Sequence, residues 1–243
     1  MRKNISYLSL LLFCTLLFNS CSIMGDSIKP SKNFITRDYK VHNFNQIDAT
    51  TVGDIFYTQS TDGTTSVKIY GPDNIVNLVQ VVVKGSTLEM TMKKYNQIKS
   101  SKLKINISSP ELTGIDFKGV GDIHIDDSFT TPQLSVASKG VGDIHILNLN
   151  CDELTVNSMG VGDIKLEGIA QTANLSSKGV GDIEARELKA TYVDASSKGV
   201  GDISCYATET LKASVKGVGS IRYKGNPAKK DFSKGGVGSI KND

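Results

Sequence analysis

The sequence predicts an all-β chain wound as a parallel β-helix-like solenoid with coils of about 20 residues. A six-residue phrase, Lys-Gly-Val-Gly-Asp-Ile, recurs at Lys118–Ile123, Lys139–Ile144, Lys178–Ile183 and Lys198–Ile203. Met159 stands in for Lys before Gly160–Ile164, and Ser220 and Ser239 stand in for Asp in two later copies. The first Gly of each copy falls at 119, 140, 160, 179, 199, 217 and 236, giving steps of 21, 20, 19, 20, 18 and 19 residues. A near-constant step of this size marks stacked structural units that lean on their neighbours. Around each phrase, apolar and polar residues alternate with period two, as in strands with one buried face.

The chain divides into three parts. Arg2 and Lys3 precede an apolar run from Leu8 to Phe18, and Asn19-Ser20-Cys21 follows. The run is short for a bilayer span and has the charge order of an export signal. A Cys directly after a small residue is the pattern of a bacterial lipoprotein site, so residues 1–21 are expected to form a leader ending at a lipidated Cys21. Cys14 lies within the apolar run and is a poor acceptor. Residues 22–33 are polar, contain Pro30, and are expected to be a tether. Residues 34–243 are expected to form one elongated domain, with irregular coils or a cap over 34–110 and regular coils over 111–243.

Composition narrows the function. Without the leader, 26 basic residues face 25 acidic ones, which gives no general attraction to nucleic acid. Two Cys remain in the domain, three repeats apart. At about 4.8 Å per stacked strand they sit roughly 14 Å from each other, beyond the ~7 Å reach of a disulfide. Both are expected to be free thiols, with Cys205 filling a core offset otherwise held by Ile125, Ile146 and Leu166.

Within a coil, Val and Ile of the phrase are apolar in every copy, and Val141, Val161 and Val180 are expected to stack as inward residues. After each Ile comes a polar residue (His124, His145, Lys165) and then an apolar one. Before the phrase, Leu134, Val136 and Ser138 and their counterparts alternate with polar residues as a second half-buried strand. Each unit thus holds two short strands, a Gly-Val-Gly corner and a looser turn. Glycine fits a corner because it adopts positive φ freely and leaves room for stacked backbones. The inward Ser138, Ser158, Ser177 and Ser197 form one column, expected to bond to one another or to nearby backbone. In the first part of the domain, Val52-Gly53-Asp54-Ile55 reads as one more corner. Asp73 is a candidate cap of a short helical turn. Val79–Val83 and Leu88–Met92 flank Lys84-Gly85-Ser86 as a hairpin.

These corners, the leading Val52-Gly53-Asp54-Ile55, Asp73-Asn74-Ile75, Lys84-Gly85-Ser86-Thr87-Leu88 and Ser109-Pro110-Glu111-Leu112 resemble the head-GIN domain family of autotransporter adhesin heads. The similarity runs over roughly Phe34 to Lys241. It implies a right-handed β-helix in an envelope lipoprotein, of a kind common in Bacteroidetes, and brings no catalytic residues.

The candidate site residues are the corner groups: Gly119, Gly121 and Asp122; Gly140, Gly142 and Asp143; Gly160, Gly162 and Asp163; Gly179, Gly181 and Asp182; Gly199, Gly201 and Asp202. Stacked carboxylates repel. Backbone N–H groups at the corner, calcium between coils, or the Lys row at 118, 139, 178, 198 and 216 would relieve that. Asp122, His124, Asp143 and His145 form an outward patch with metal-ligand chemistry. No metal or other cofactor is expected.

Phosphate-loop and nucleophile-elbow motifs are missing, and the acidic residues follow the repeat rather than clustering. The sequence therefore points to a non-catalytic binding domain of the cell envelope, expected at the outer membrane. A lipid anchor at Cys21 and a carbohydrate or protein ligand are the expected partners. A polysaccharide-active enzyme and an envelope-stress or assembly accessory protein are the alternatives.

Overall fold

The computed structural model describes residues 28–93, 98 and 102–243. The expected leader with Cys14 and the lipidation site Cys21, and residues 22–27 of the expected tether, lie outside these. In chain order the first elements are β1 (Phe34–Tyr39), β2 (Gln46–Thr50), β3 (Asp54–Gln59), β4 (Ser66–Pro72), α1 (Asp73–Val76), β5 (Val79–Lys84), β6 (Thr87–Met92) and β7 (Lys104–Ser109). They are followed by β8 (Gly114–Phe117), β9 (Ile123–Ile125), β10 (Phe129–Ser138), β11 (Ile144–Ser158), β12 (Ile164–Ser177) and β13 (Ile183–Ser197). The last are β14 (Ile203–Val215), β15 (Ile221–Lys224), β16 (Lys229–Lys234) and β17 (Ile240–Asn242).

From β8 onward every coil pairs in parallel with the coils on either side. The Ile of the phrase forms one in-register column, Ile144 to Ile164, Ile183, Ile203, Ile221 and Ile240. A second column runs Val156, Leu175, Ala195 and Ala213. The result is a β-solenoid of about 6 turns whose interior is one continuous apolar stack.

The strands are longer than the two short segments per coil that the alternation suggests. β11 runs 15 residues and β14 runs 13, because the expected looser turn is itself paired to its copies. Leu149 faces Gly168 and Cys151 faces Ala170 across the bend, where the register shifts after Ile146. Asn148 has φ 57° and Gly168 φ 134° at this bend. Stacking satisfies the backbone groups of turns as well as of strands, which a buried N–H or C=O requires.

The first part of the domain is laid down out of chain order. β2 and β3 form a coil that pairs in parallel with β8 and β9 on one side and with β6 and β7 on the other. β4 runs antiparallel between β1 and β7, and β5 and β6 form the expected hairpin, with Gly85 at φ 60° in its turn. Asp73 is not the helix cap: Pro72 holds that position, and Asp73 opens the first turn. Its carboxylate instead accepts from Ser31 Oγ at 2.5 Å and Asn33 Nδ2 at 2.8 Å. Residues 28–33 are thereby fastened to this end of the stack, with Ile28 bridging Ile98. At the far edge of the described residues, all six residues of β16 are exposed, three of them Lys, which discourages edge-to-edge pairing.

Cys151 and Cys205 are free and buried. Burial, joined by the nearby Asp152 charge, pushes the Cys151 thiol up to about 11, and burial alone pushes Cys205 up to about 12. Both are apolar filler rather than nucleophiles.

The Ser column departs from expectation. Ser138, Ser158, Ser177 and Ser197 are buried, yet the hydroxyls of Ser177 and Ser197 have no hydrogen-bond partner. The Ser177 carbonyl already accepts the N–H groups of Lys198 and Gly199, and the Ser197 carbonyl those of Lys216 and Gly217. The same column holds Phe117 and Val215 at its two ends, so the position does not require a hydroxyl. Because an unpaired buried hydroxyl costs about 1–3 kcal/mol, Ser177→Ala and Ser197→Ala are expected to be neutral or stabilising by about 1 kcal/mol. Urea unfolding of the paired variants checks this.

Candidate binding face at the repeated corner

Strand parity sets what each corner residue does. Stepping back by two from inward Ile164 passes Gly162, Gly160 and Ser158, which line the inside. The intervening Asp163, Val161 and Met159 point out. From Lys118 to Ile221 each corner therefore presents three outward rows: Lys or Met, then Val, then Asp or Ser, with Gly235 in place of Lys at the last copy.

The Val row corrects the expectation of inward valines. Val52, Val120, Val141, Val161, Val180, Val200, Val218 and Val237 do stack, each bridged in parallel to the next. Yet Val120 through Val218 are 50–55% exposed, and Val237 is 75% exposed. The apolar residue at the corner belongs to the surface. Its backbone carries the stack: Val141 N–H donates to Gly119 O at 2.9 Å, and Val161 N–H to Gly140 O at 3.0 Å.

The two glycines differ in their reasons. A Cβ on Gly160 would lie 2.1 Å from Gly140 O, so the first Gly is required by space alone. A Cβ on Gly162 would lie 2.2 Å from Gly142 O, and Gly162 also has φ 134°. That φ turns the next N–H away from the backbone acceptors of the preceding coil.

The Asp row supplies the missing acceptor. Asp143 N–H donates to Asp122 Oδ1 at 2.9 Å, and Asp163 N–H to Asp143 Oδ1 at 2.8 Å. Asp182 and Asp202 repeat the bond at 2.8 and 2.7 Å, and Asp54 starts the ladder by accepting from Asp122 N–H at 3.2 Å. Where Ser replaces Asp the function persists without charge: Ser239 N–H donates to Ser220 Oγ at 3.1 Å. Asp163→Ala would orphan the Asp182 N–H and is expected to cost about 1–3 kcal/mol, whereas Asp163→Asn keeps an acceptor and should cost less. Urea midpoints of the two variants test the ordering.

The Lys row does not neutralise these carboxylates. Lys118 Nζ lies 2.9 Å from both Asp48 and Asp116, and Lys139 Nζ 2.9 Å from Asp116. Burial works against the Asp116 charge, but the hydrogen bonds from Lys139 and Lys118 outweigh it and hold the carboxyl below its usual range. Burial likewise opposes the Lys118 ammonium, and its bonds to Asp48 and Asp116 win and raise it. The strand offset explains the partners: Asp116 lies two residues before Lys118, on the same outer face. Among the described residues Lys178, Lys198 and Lys216 make no ion pair, and Asp202 pairs with Arg222 at 3.0 Å. Lys stems and Met159 wall one side of a shallow trough, Val side chains wall the other, and the first glycines form its floor.

The outward patch around His124 and His145 is occupied by ring contacts. His124 stacks on Phe56 with centroids 4.9 Å apart, and His145 meets His124 edge-on at 5.2 Å. Among the described residues no group of three or more His, Cys, Asp or Glu is placed to hold a metal. Asp122 and Asp143 are instead engaged in the corner ladder. Among the same residues no helix is long and apolar enough to cross a membrane.

A solenoid with a repeated corner, an apolar outer row and a carboxylate-to-backbone ladder from coil to coil defines a class of repeat-built β-module. Residues 43–227 match the family described as "Putative auto-transporter adhesin, head GIN domain", and the chain belongs to that family. The structure of a "putative adhesin" from Bacteroides fragilis NCTC 9343 is similar at 60% identity and TM-score 0.87, covering 89% of this chain and 100% of that one. A "Putative lipid binding protein" from Parabacteroides distasonis ATCC 8503 shares the fold at 23% identity and TM-score 0.73, covering 90% of this chain and 100% of that one. No curated protein matches the chain.

Proposed function

We propose that this chain is a non-catalytic, adhesin-like binding module of the cell envelope, held to the membrane by lipid at Cys21, that docks a protein partner on its corner face. The observation that carries the reading is the row of half-exposed valines, continuous along the stack. A contiguous exposed apolar row rimmed by polar groups is the signature of a docking surface. The family and the relative named an adhesin support an adhesin-like role.

A protein fits this face better than a sugar. Carbohydrate platforms offer open aromatic faces, the chain has no Trp, and the Phe56–His124 stack closes its rings on each other. Catalysis is disfavoured because each corner carboxylate gives one oxygen to a backbone N–H, and among the described residues these carboxylates follow the repeat rather than pairing around a cleft.

A photoreactive amino acid in place of Val180 is expected to give a cross-linked adduct in intact cells, and one in place of the exposed β14 residue Thr208 is not. Equal yields at the two positions would overturn the corner assignment. Cys21→Ala is expected to release the chain from the membrane fraction, and unchanged fractionation would remove the anchor.

A further inference from the structure

We infer that the partner of the corner face is a second copy of this chain, docked with the two solenoids side by side and pointing the same way. The inference rests on the corner face being a docking surface, and it adds who docks there and in which orientation.

The first argument is repeat matching. Val side chains recur once per coil, about 4.8 Å apart. A partner that meets this row over its whole length needs the same rise, and another solenoid of the same coil supplies it. The second is shape. A Val ridge lies directly beside the glycine-floored trough, so each copy offers both a ridge and a groove. Two such surfaces interdigitate under a two-fold axis, each ridge entering the other's trough, which is the self-complementary geometry of an isologous dimer.

The third argument fixes orientation. The rows run Lys, Val, Asp across the face. When two faces meet under a two-fold axis parallel to the solenoid, the Lys row of one copy lies against the Asp row of the other. When the axis is perpendicular, Lys meets Lys and Asp meets Asp, which costs energy. Lys178 and Lys198, without ion pairs among the described residues, would face Asp182 and Asp202 of the second copy, the latter shared with Arg222 of its own chain. Parallel packing also puts both copies of residues 28–33 at the same end, as two chains rooted in one membrane require.

The fourth is size. Seven valines from Val120 to Val237 span six rises, about 29 Å, and three rows about 6.8 Å apart span about 14 Å. That is about 400 Å² per copy, or about 800 Å² in total, below the ~1,200 Å² of stable specific interfaces. The pair is therefore weak in dilute solution and favoured where anchoring concentrates the chains.

The test uses the full chain in cells, with Val180→Cys and a short homobifunctional maleimide. A dimer band is expected for Val180→Cys and not for the unsubstituted chain, since Cys151 and Cys205 are buried, Cys14 leaves with the leader and a lipidated Cys21 carries no thiol. Adding Lys178→Glu and Lys198→Glu is expected to reduce the band at least fivefold. Co-expressed Val141→Cys and Val218→Cys chains are expected to give no mixed dimer, because those positions are far apart in the parallel arrangement. A mixed dimer, with or without the Val180 band, would overturn the orientation. No dimer band, with Val180→Cys shielded from a monofunctional maleimide in cells but not when purified, would overturn the second copy and leave a different protein on the face. No band and equal labelling in both settings would overturn the docking surface itself.

Discussion

Gly162→Ala is expected to cost the fold about 3 kcal/mol or more and to reduce the yield of folded chain sharply. The glycine sits at φ 134°, where an L side chain is strained by about 1–2 kcal/mol. The added Cβ would also lie 2.2 Å from Gly142 O, and that atom belongs to a backbone fixed on both sides by the stack. Relief would require parting two coils, which loosens the Asp143-to-Asp163 bond and the Gly142-to-Val161 bond together. With a domain stability of about 5–15 kcal/mol, one such change removes a large fraction of the total. Gly235→Ala is the control: nothing lies within 4 Å of its added Cβ, and the change should stay within about 0.5 kcal/mol. Urea unfolding of the purified domain compares the two, and similar midpoints would refute the crowded-corner account.

Ile183→Ala and Val180→Ala, three residues apart in one phrase, are expected to differ severalfold in cost. Ile183 is 0% exposed and packs between Ile164 and Ile203, so truncation leaves a cavity in a column that cannot collapse without tilting its neighbours. Such changes cost about 2–5 kcal/mol. Val180 is 51% exposed and rests on glycine backbone, so its loss should cost under about 1 kcal/mol. The same pair separates folding from function. Val180→Ala should weaken docking on the corner face with little change in melting temperature, while Ile183→Ala should lower the melting temperature first. A larger stability loss at Val180 than at Ile183 would return the valine to the interior.

Much of this architecture was legible because a solenoid writes its long-range contacts as a short-range repeat. Once the coils are aligned on Gly119, Gly140 and Gly160, the in-register columns at Ile144 and Val156 follow. The side of Val161 was also legible, since it lies an odd number of residues from Ile164. Its chemistry misleads: apolar character suggested the interior, and only the period-two count places it outside. The partners of Lys118 were harder to foresee. Asp116 lies two residues away on the same face, but Asp48 arrives from β2, a contact 70 residues away that no local pattern encodes. The placement of β2 and β3 between β6–β7 and β8–β9 is of the same kind. It depends on which edges remain open once the hairpin forms. The bond from each Asp to the following coil needed the corner φ of the second glycine, which residue type alone permits but does not assign.

The steps between copies vary from 18 to 21 residues, yet the corners never change length. The irregularities in pairing fall after Ile146, Lys165, Ala185 and Ala190, all outside the phrase, in the bend between its Ile and the next half-buried strand. That bend acts as slack. A residue gained or lost there is absorbed within one turn, while the same change inside Gly-Val-Gly would put every later coil out of step. Variation among relatives of this chain should therefore concentrate at the bends, and lineages should lengthen or shorten the rod by whole turns.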